Sequence, residues 1–530
     1  MSIKPQNLIH TLATEDAHKF IQFGAGEQIN YRHQTVLEMF QEMASLHPNS
    51  AAVRFNNRSI SYRELDQQSD SLANSLIKQG IKPEQNVGLF LERSIEMVVG
   101  MLGILKSGAA YVPQDIRLAT QPLLSSMIED AKISTVLSLS KFRHKEFNHV
   151  KTIYIDEEKF DSDQTTKTKL PQLSPSGPCF ILFTSGTTGK PNGVEVLHKN
   201  FANLMNSKQG SLNVKNGERV SQLLNISFDM ASWEIFAALT NGAELLIRGK
   251  DIESCARQAN VVISTPGILS TFNPERFKKL RAVAVAGEPC PIDLANKWAK
   301  KARFYNSCGP TEICIINTMT EVFPDEKHIS IGSPIPNTNV YILDKNLTPV
   351  PIGEVGEMWV GGDGVSRGYL SRPELNKERY VEDPFTDSGH KMFRTRDLAK
   401  WTKDGKLVHL GRTDDQVKIK GFRVELEAIS AVLQKDPKCQ AAVSIKLDSQ
   451  TLVSFVRPIN VDTRSLKNRI TNELPYFYEP KQIIALNTFP LTDRGKVDKR
   501  QLALIAANEI SSGQEEELNH DDSSHKIASF

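Results

Sequence analysis

The sequence contains few cysteines and no long apolar run. Six of its 530 residues are cysteine, and no two of them form a C-x-x-C pair. Scattered cysteines argue against a disulfide framework or a zinc site and fit reduced thiols in a cytoplasmic protein. The longest apolar stretch, from Met97 to Leu105, is far shorter than the roughly 20 residues that cross a bilayer. The N-terminal segment also lacks the apolar core of a secretory signal. We therefore expect a cytoplasmic protein with no membrane partner.

An excess of charge of one sign is also absent. The 64 Lys and Arg residues nearly balance the 62 Asp and Glu residues, which gives a formal net charge of +2. A dedicated nucleic-acid-binding protein usually concentrates many more basic residues, so we expect no nucleic-acid partner. A chain of 530 residues is too long for a single hydrophobic core, so two or more domains are expected.

From about residue 50 to 410, short β-branched runs alternate with helical patterns. Residues 62–80 space their leucines and isoleucine like an amphipathic helix, and residues 95–108 form a second helical pattern. The runs at 86–91, 261–265 and 281–287 are typical of buried parallel strands. This alternation predicts an α/β fold, in which ligands bind at the carboxyl ends of the strands.

The composition changes twice towards the C-terminus. Residues 335–410 are rich in strand patterns, which indicates a small β-barrel-like part. After residue 411 a strand, a turn and a helix follow, so we predict an N-terminal core at 1–411, a hinge at 412–415 and a small α+β domain at 416–508. Residues 509–530, rich in Ser, Asp and Glu, are expected to be a disordered tail.

The most informative segment, CFILFTSGTTGKPNGVEV (179–196), leads an apolar strand into a turn rich in glycine and hydroxyl groups. Glycines allow backbone N–H groups to approach phosphate oxygens, and Thr184 with its neighbours adds hydroxyl donors. The segment is not a Walker A loop, because Pro191 follows Lys190 where that loop requires Ser or Thr. Taken alone, such a segment is more often an ordinary loop.

Its neighbours in sequence favour the phosphate-binding interpretation. The segment TSGTTGKPNG (184–193) resembles the phosphate loop of the adenylate-forming superfamily, which includes acyl-CoA synthetases, luciferases and the adenylation domains of non-ribosomal peptide synthetases. Further family motifs follow in register, among them KSGAAYVPQD, FDMASWE, NSCGPTE, FRTRDL, GRTDDQVKIKGFR and RGKVDK. Together they span roughly residues 50 to 505, and several look most like peptide-synthetase adenylation domains.

The resemblance implies the activation of a carboxylate with ATP and Mg²⁺, which depends largely on positioning and on neutralising charge. It gives catalytic roles to Thr184, to Lys496 and to Glu312, which would bind the metal. Asp397 and Arg412 would hold the ribose side of the nucleotide. The full set assigned to the nucleotide is Thr184, Ser185, Gly186, Thr187, Thr188, Gly189, Lys190, Gly287, Asn306, Ser307, Cys308, Gly309, Thr311, Asp397, His409 and Arg412.

Each assignment has a simpler alternative when its residue is considered alone. Glu312 could be an ordinary acidic residue at a helix N-terminus, where the helix dipole favours it. Asp397 could be a capping residue, and Lys496 could be an exposed lysine in a turn. The ordered series of motifs, and no single residue, favours the functional assignments.

The substrate class is inferred from Asp229, which resembles the aspartate that pairs with the α-ammonium group of an amino acid. A buried carboxylate is costly unless a cation pairs with it. The alternative is that Asp229 caps a helix starting near Ser232. The remaining pocket wall would comprise Met230, Trp233, Gly267, Ala284, Ala286, Ser307, Ile315 and Ile316, with Lys496 at the substrate carboxylate. This wall has no second charge, so the expected side chain is uncharged and possibly large or aromatic.

Four positions depart from the family pattern. Asn192 replaces a lysine in the phosphate loop, and Arg396 replaces the glycine before Asp397. Cys308 stands where an aromatic residue commonly stacks on the adenine, and His409 stands where another aromatic residue is common. These departures leave open slower adenylation or a nucleotide-binding protein that has lost catalysis.

The resemblance also implies a second step. No carrier-domain motif follows residue 505, so we expect transfer to a carrier protein in trans. Asp414 matches the aspartate about which the small domain of the family rotates, although it could be an ordinary turn residue. An acid–CoA ligase is the nearest alternative enzyme, but its substrates offer no ammonium group to Asp229.

Overall fold

The structure, a computed structural model, describes residues 12–145, 147, 149–158, 170–184, 186, 190–386, 389–419, 421–448, 450–491 and 497–510. Lys496, Ser185, Thr187, Thr188 and Gly189 lie outside these ranges, as does the predicted tail from residue 511 onward. Within them, no helix has both the length and the apolar character needed to cross a membrane.

Capping residues and apolar spacing define the helices. Helix α3 begins after Ser61, whose hydroxyl accepts the Glu64 N–H while the Glu64 carboxylate accepts the Ser61 N–H. Helix α4 is buried on all sides, as its continuous apolar sequence requires. The helices are α1 (Thr14–Gly24), α2 (Val36–Leu46), α3 (Tyr62–Lys78), α4 (Ile95–Lys106), α5 (Gln121–Asp130), α6 (His198–Asn206), α7 (Lys208–Ser211), α8 (Asp229–Leu239), α9 (Ile252–Gln258), α10 (Pro266–Ser270), α11 (Ile292–Ala299), α12 (Pro373–Arg379), α13 (Leu426–Leu433) and α14 (Thr463–Glu473). Residues 499–510 are also helical.

The strands follow the β-branched and aromatic runs of the sequence. They are β1 (Ala51–Phe55), β2 (Arg58–Ser61), β3 (Asn86–Leu91), β4 (Ala110–Asp115), β5 (Thr135–Ser138), β6 (Lys151–Tyr154), β7 (Pro178–Thr184), β8 (Asn192–Leu197), β9 (Arg219–Gln222), β10 (Glu244–Ile247), β11 (Val261–Ser264), β12 (Ala282–Val285), β13 (Arg303–Cys308), β14 (Thr318–Val322), β15 (Ser333–Pro334), β16 (Thr338–Leu343), β17 (Gly356–Gly362), β18 (Gly368–Tyr369), β19 (Tyr380–Glu382), β20 (Lys391–Trp401), β21 (Leu407–Arg412), β22 (Gln416–Ile419), β23 (Phe422–Glu425), β24 (Ala441–Lys446), β25 (Leu452–Arg457) and β26 (Gln482–Ala485).

Two mostly parallel sheets form the larger part of the fold. One has nine strands in the order β15-β14-β13-β12-β11-β9-β10-β1-β2, and the other has seven in the order β18-β8-β7-β4-β3-β5-β6. Their central strands are parallel and fully buried, as in β11 and β12. Antiparallel partners lie only towards the edges of each sheet. The predicted α/β class is confirmed, and the alternating pattern of the sequence explains it.

The strand-rich segment forms a separate antiparallel sheet. Strands β16, β17, β20 and β19 pair in that order, and β21 pairs with β20. The pairing places Asp397 directly opposite Arg412, with an irregularity between Asp397 and Ala399. This register brings the side chains of two predicted nucleotide-binding residues, Asp397 and Arg412, close together.

The chain separates into two compact units. The larger holds residues 1–184 and 191–414, and the smaller holds residues 185–190 and 415–530. In the smaller unit, β22 and β23 form a hairpin, and β24, β25 and β26 form a three-stranded sheet. That residues 412–415 act as a hinge between domains stays a prediction.

Candidate active site

Three parallel strands of the nine-stranded sheet end side by side. Strands β11, β12 and β13 are consecutive neighbours, and the segments that follow them carry Gly267, Gly287 and Gly309. The carboxyl ends of parallel strands meet at one edge of a sheet, where ligands commonly bind. A Cβ atom on Gly287 would lie 3.5 Å from the Met230 Sδ, so α8 faces this edge.

Asp229 is the first residue of α8 and is half-buried. The predicted helix start near Ser232 is therefore wrong by three residues. The Asp229 Oδ1 accepts the Met230 N–H at 2.8 Å. Burial raises the pKa of the Cys314 thiol well above its usual range, and the neighbouring negative charge of Asp229 raises it further. Asp229 thus lies close to the segment that carries Ile315 and Ile316.

Most of the predicted pocket wall belongs to one apolar cluster. The residues in it are Met230, Trp233, Ala284, Ala286, Ile315 and Ile316, each at most 6% exposed. Trp233 is fully buried, and its indole N–H donates to the Gly210 carbonyl at 2.6 Å. Ser307 is also buried, and its hydroxyl has no hydrogen-bond partner among the described residues. Among the predicted wall residues, these six therefore form an apolar surface, and Ser307 contributes a hydroxyl group.

The turn after β13 has a constrained backbone. A Cβ atom on Gly309 would lie 2.5 Å from the Ile316 Cα, so only glycine fits there. Cys314 and Ile315 have φ angles of 55° and 81°, and a positive φ is rare for a β-branched residue. Strain of this kind is often found at functional sites.

Glu312 lies in this turn, in a short 3₁₀ segment that begins at Thr311. It is fully buried, and the Tyr369 hydroxyl donates to its Oε1 at 2.6 Å. Among the described residues, no group of three or more His, Cys, Asp or Glu side chains is placed to hold a metal. Mg²⁺ is commonly bound through one or two carboxylates together with substrate phosphates, so Glu312 fits the predicted role.

Asp397 is nearly buried and lies between two side chains of β21. The Arg412 Nη1 donates to its Oδ1 at 2.6 Å, and the His409 Nε2 lies 3.3 Å from the same oxygen. His409 stands at a position where an aromatic residue is common in the family. Its ring lies against the carboxylate expected to bind the ribose.

Arg396 shows why glycine is usual at its position. Its φ angle is 63°, a conformation that costs a non-glycine residue roughly 1 kcal/mol. Its guanidinium forms ion pairs with Glu378 and, at 3.5 Å, with Asp414. Arg412 also donates to both oxygens of Asp414, at 2.8 and 3.1 Å. Two arginines therefore hold the predicted hinge aspartate.

The described part of the predicted phosphate loop is small. The Thr184 hydroxyl at the end of β7 donates to the Asn192 carbonyl at 3.3 Å, and Lys190 is exposed. Asn192 lacks the positive charge of lysine, but its side-chain oxygen accepts the Arg372 Nε–H at 3.3 Å. Arg372 is in turn paired with Asp130 at 2.8 Å, so its charge is largely neutralised.

The other nucleotide candidates lie on β13 and the turn that follows. The Asn306 side chain donates to the Ser330 carbonyl at 2.7 Å. Cys308 is half-buried, and its carbonyl accepts the Asn317 N–H at 2.8 Å. That these residues contact a nucleotide stays a prediction.

Sequence reasoning missed two residues. Tyr369 lies 57 residues after Glu312 in the sequence, and only the fold brings the two together. Glu288 follows Gly287 directly, and its Oε2 accepts the Gly267 N–H at 2.8 Å. The pocket wall predicted from the sequence does not include Glu288. The position of Glu288 just after a buried strand was the available signal.

Comparisons with known proteins agree with this arrangement. A family model described as "AMP-binding enzyme" matches residues 40–370. An adenylate-forming reductase from Coprinopsis cinerea is 41% identical over 95% of this chain and 50% of its own length. Tyrocidine synthase 1 from Brevibacillus parabrevis is 34% identical over 94% of this chain and 46% of its own length. The chain thus spans about half the length of these curated relatives.

Among solved structures, an artificially fused adenylation–PCP di-domain NRPS from Klebsiella oxytoca has a TM-score of 0.77 at 26% identity. The match covers 86% of this chain and 94% of that chain. The sequence motifs, the parallel sheets and the family match agree, and they confirm the resemblance stated above. The chain belongs to the family of AMP-binding enzymes, within the adenylate-forming superfamily.

Proposed function

We propose that this chain uses ATP and Mg²⁺ to activate the carboxylate of an amino acid, forming an aminoacyl-AMP and releasing pyrophosphate. The observation that carries this proposal is Asp229, a half-buried carboxylate at the start of α8 beside the buried apolar wall. A carboxylate in such surroundings is stabilised by a cation. The α-ammonium group is the cation that every amino acid carries. A four-domain non-ribosomal peptide synthetase with a TM-score of 0.70 at 27% identity is bound to AMP and glycine, which supports the same substrate class.

The reaction forms one phosphorus–oxygen bond and breaks another. A carboxylate oxygen of the substrate attacks the α-phosphorus of ATP, and the bond from that phosphorus to the bridging oxygen breaks. Pyrophosphate leaves with the electron pair of that bond. The family match supports a nucleotide, and the hard carboxylate oxygens of Glu312 suit Mg²⁺, which when bound would neutralise phosphate charge.

The side chains of this site would position the reactants. Tyr369 orients the Glu312 carboxylate, and Arg412 orients Asp397 to accept the ribose hydroxyls. Lys496 would bridge the α-phosphate and the substrate carboxylate, with most effect in a site that excludes water. Its role stays a prediction, because it lies outside the described residues.

In a second step, we propose that the aminoacyl group passes to the phosphopantetheine thiol of a carrier protein. The thiolate attacks the acyl carbon, a thioester forms and AMP leaves. The adenylation–PCP fusion among the structural neighbours supports this kind of partner. The similarity to an adenylate-forming reductase supports a second candidate function, in which a hydride donor later reduces the thioester to an aldehyde and the carrier thiol is released.

The test is pyrophosphate exchange into ATP with Mg²⁺ across the common amino acids and a set of aryl and fatty acids. Asp229→Ala and Lys496→Ala should each lower exchange with the preferred amino acid at least 100-fold, since each removes a charge pairing in a site with little water. Asp293→Ala is the matched control, because Asp293 lies exposed in the first turn of α11.

The outcomes separate the candidate functions. Exchange with one amino acid, lost in Asp229→Ala and kept in Asp293→Ala, supports the proposal. Exchange only with acids that lack an amine would contradict the role of Asp229 and favour an acid–CoA ligase. Absence of exchange with the whole panel, in folded protein that still binds ATP, would favour loss of catalysis.

A further inference from the structure

The carboxylate of Glu288 lies beside the predicted substrate pocket. Glu288 follows β12 at the same sheet edge as Gly267, and its Oε2 accepts the Gly267 N–H at 2.8 Å. A Cβ atom on Gly267 would lie 2.9 Å from the Glu288 Oε2 and 3.4 Å from its Oε1. The carboxylate therefore occupies the space that a side chain at position 267 would fill.

Only one oxygen of this carboxylate accepts a hydrogen bond from the described part of the chain. The Glu288 Oε1 is buried and has no hydrogen-bond partner among the described residues. A buried carboxylate oxygen without a donor destabilises the folded state. Such an oxygen calls for an explanation, and a bound ligand is one.

A second unpaired polar atom lies on the neighbouring strand β13. Val285 at the end of β12 pairs with Asn306 of β13, and Ser307 is the next residue of β13. The Ser307 Oγ is buried without a partner in the described part of the chain. An apolar pocket with a few convergent polar groups is the usual form of a small-molecule site.

We infer that Glu288 is a specificity-determining residue whose Oε1 accepts a hydrogen bond from an N–H or O–H group on the side chain of the activated amino acid. This inference rests on the proposed function and narrows its substrate class. Asp229 is assigned to the α-ammonium group, so Glu288 is left for the side chain. The selected side chain therefore carries a donor, either neutral, as in a phenol or an indole, or an ammonium group.

The size of the expected effect follows from the chemistry of the site. A site built to form a hydrogen bond rejects analogues that lack the donor, because its own polar group is then left buried and unpaired. A hydrogen bond to a charged group contributes about 1.5–3 kcal/mol, which corresponds to a preference of roughly 10- to 150-fold.

The experiment measures binding, so it does not depend on turnover. Non-hydrolysable aminoacyl-sulfamoyl adenosines are compared by calorimetry in matched pairs: tyrosyl with phenylalanyl, tryptophanyl with naphthylalanyl, and lysyl with norleucyl. We expect the wild type to prefer the donor-bearing member of its tightest pair at least 10-fold. Glu288→Gln should abolish this preference, because its amide can still accept the Gly267 N–H but offers a donor where Oε1 stands.

Glu275→Gln is the matched control and should keep the preference, because Glu275 is exposed in a different turn. Equal affinity for both members of the tightest pair, or an unchanged preference in Glu288→Gln, would overturn this inference and leave the proposed function intact. Failure of every analogue to bind folded wild-type protein would overturn both.

Discussion

At the residue scale, the buried carboxylate of Glu312 depends on the Tyr369 hydroxyl, which donates to it at 2.6 Å. Glu312 is fully buried, so this donor orients the carboxylate and compensates part of its lost hydration. If Glu312 binds Mg²⁺, Tyr369 acts as a positioning residue for the ion. Partners of metal ligands typically change affinity 10- to 100-fold when they are removed.

We predict that Tyr369→Phe raises the Mg²⁺ concentration needed for half-maximal pyrophosphate exchange by about 10-fold. The aromatic ring stays in place, but the buried carboxylate loses a donor, so the melting temperature should also fall. Tyr380→Phe is the control, because that neighbouring tyrosine bonds to Ser366 rather than to Glu312. An equal shift of the Mg²⁺ dependence in both variants would contradict the role given to Tyr369.

At the scale of the element, α3 shows how local sequence fixes a helix boundary. Ser61 and Glu64 cap each other's backbone N–H groups, so two donors at the helix N-terminus have partners. The apolar residues Leu65, Leu72 and Leu76 are buried on one face. The capping residues and the spacing of the apolar residues therefore predict the same helix.

Replacing Ser61 with alanine should lower the free energy of unfolding by about 1 kcal/mol, the usual cost of losing a side-chain cap. Urea titration followed by circular dichroism would measure it. Ser59→Ala, an exposed position two residues earlier on β2, should change the free energy by less than about 0.5 kcal/mol. Similar losses in the two variants would show that the cap is not the cause.

At the scale of the whole molecule, one buried histidine makes stability depend on pH. His198 begins α6 and is 2% exposed. Burial lowers its pKa from 6.5 to about 4. Between about pH 4 and pH 6.5, His198 is protonated in the unfolded chain but neutral in the folded chain. The stabilisation is therefore complete above pH 6.5 and is lost as the pH falls towards 4.

His198→Gln should remove this contribution. From pH 7 to pH 5, the free energy of unfolding of the variant should fall by about 2 kcal/mol less than that of the wild type. Thermal unfolding at a series of pH values measures the difference. His328→Gln, at an exposed position, should leave the pH dependence unchanged. Parallel curves for wild type and His198→Gln would refute the assignment.

Sequence patterns correctly predicted the strands and helices that depend on interactions between residues close in the sequence. The strand runs at 86–91 and 261–265 and the helix ending near Gly80 appear as β3, β11 and α3. The start of α8 was misplaced, because Met230 and Trp233 make the segment apolar on all sides and leave no periodic signal. Such helices are positioned by tertiary packing rather than by their own spacing.

The sequence by itself determined the family, the α/β class and the positions of the candidate acidic residues, because these depend on short motifs and on local periodicity. Only the tertiary structure decided their partners. Tyr369 is 57 residues from Glu312, and Glu288 is 21 residues from Gly267. Contacts at such separations depend on strand order and register. No local pattern encodes these two properties, since burial and pairing of the whole sheet set them together.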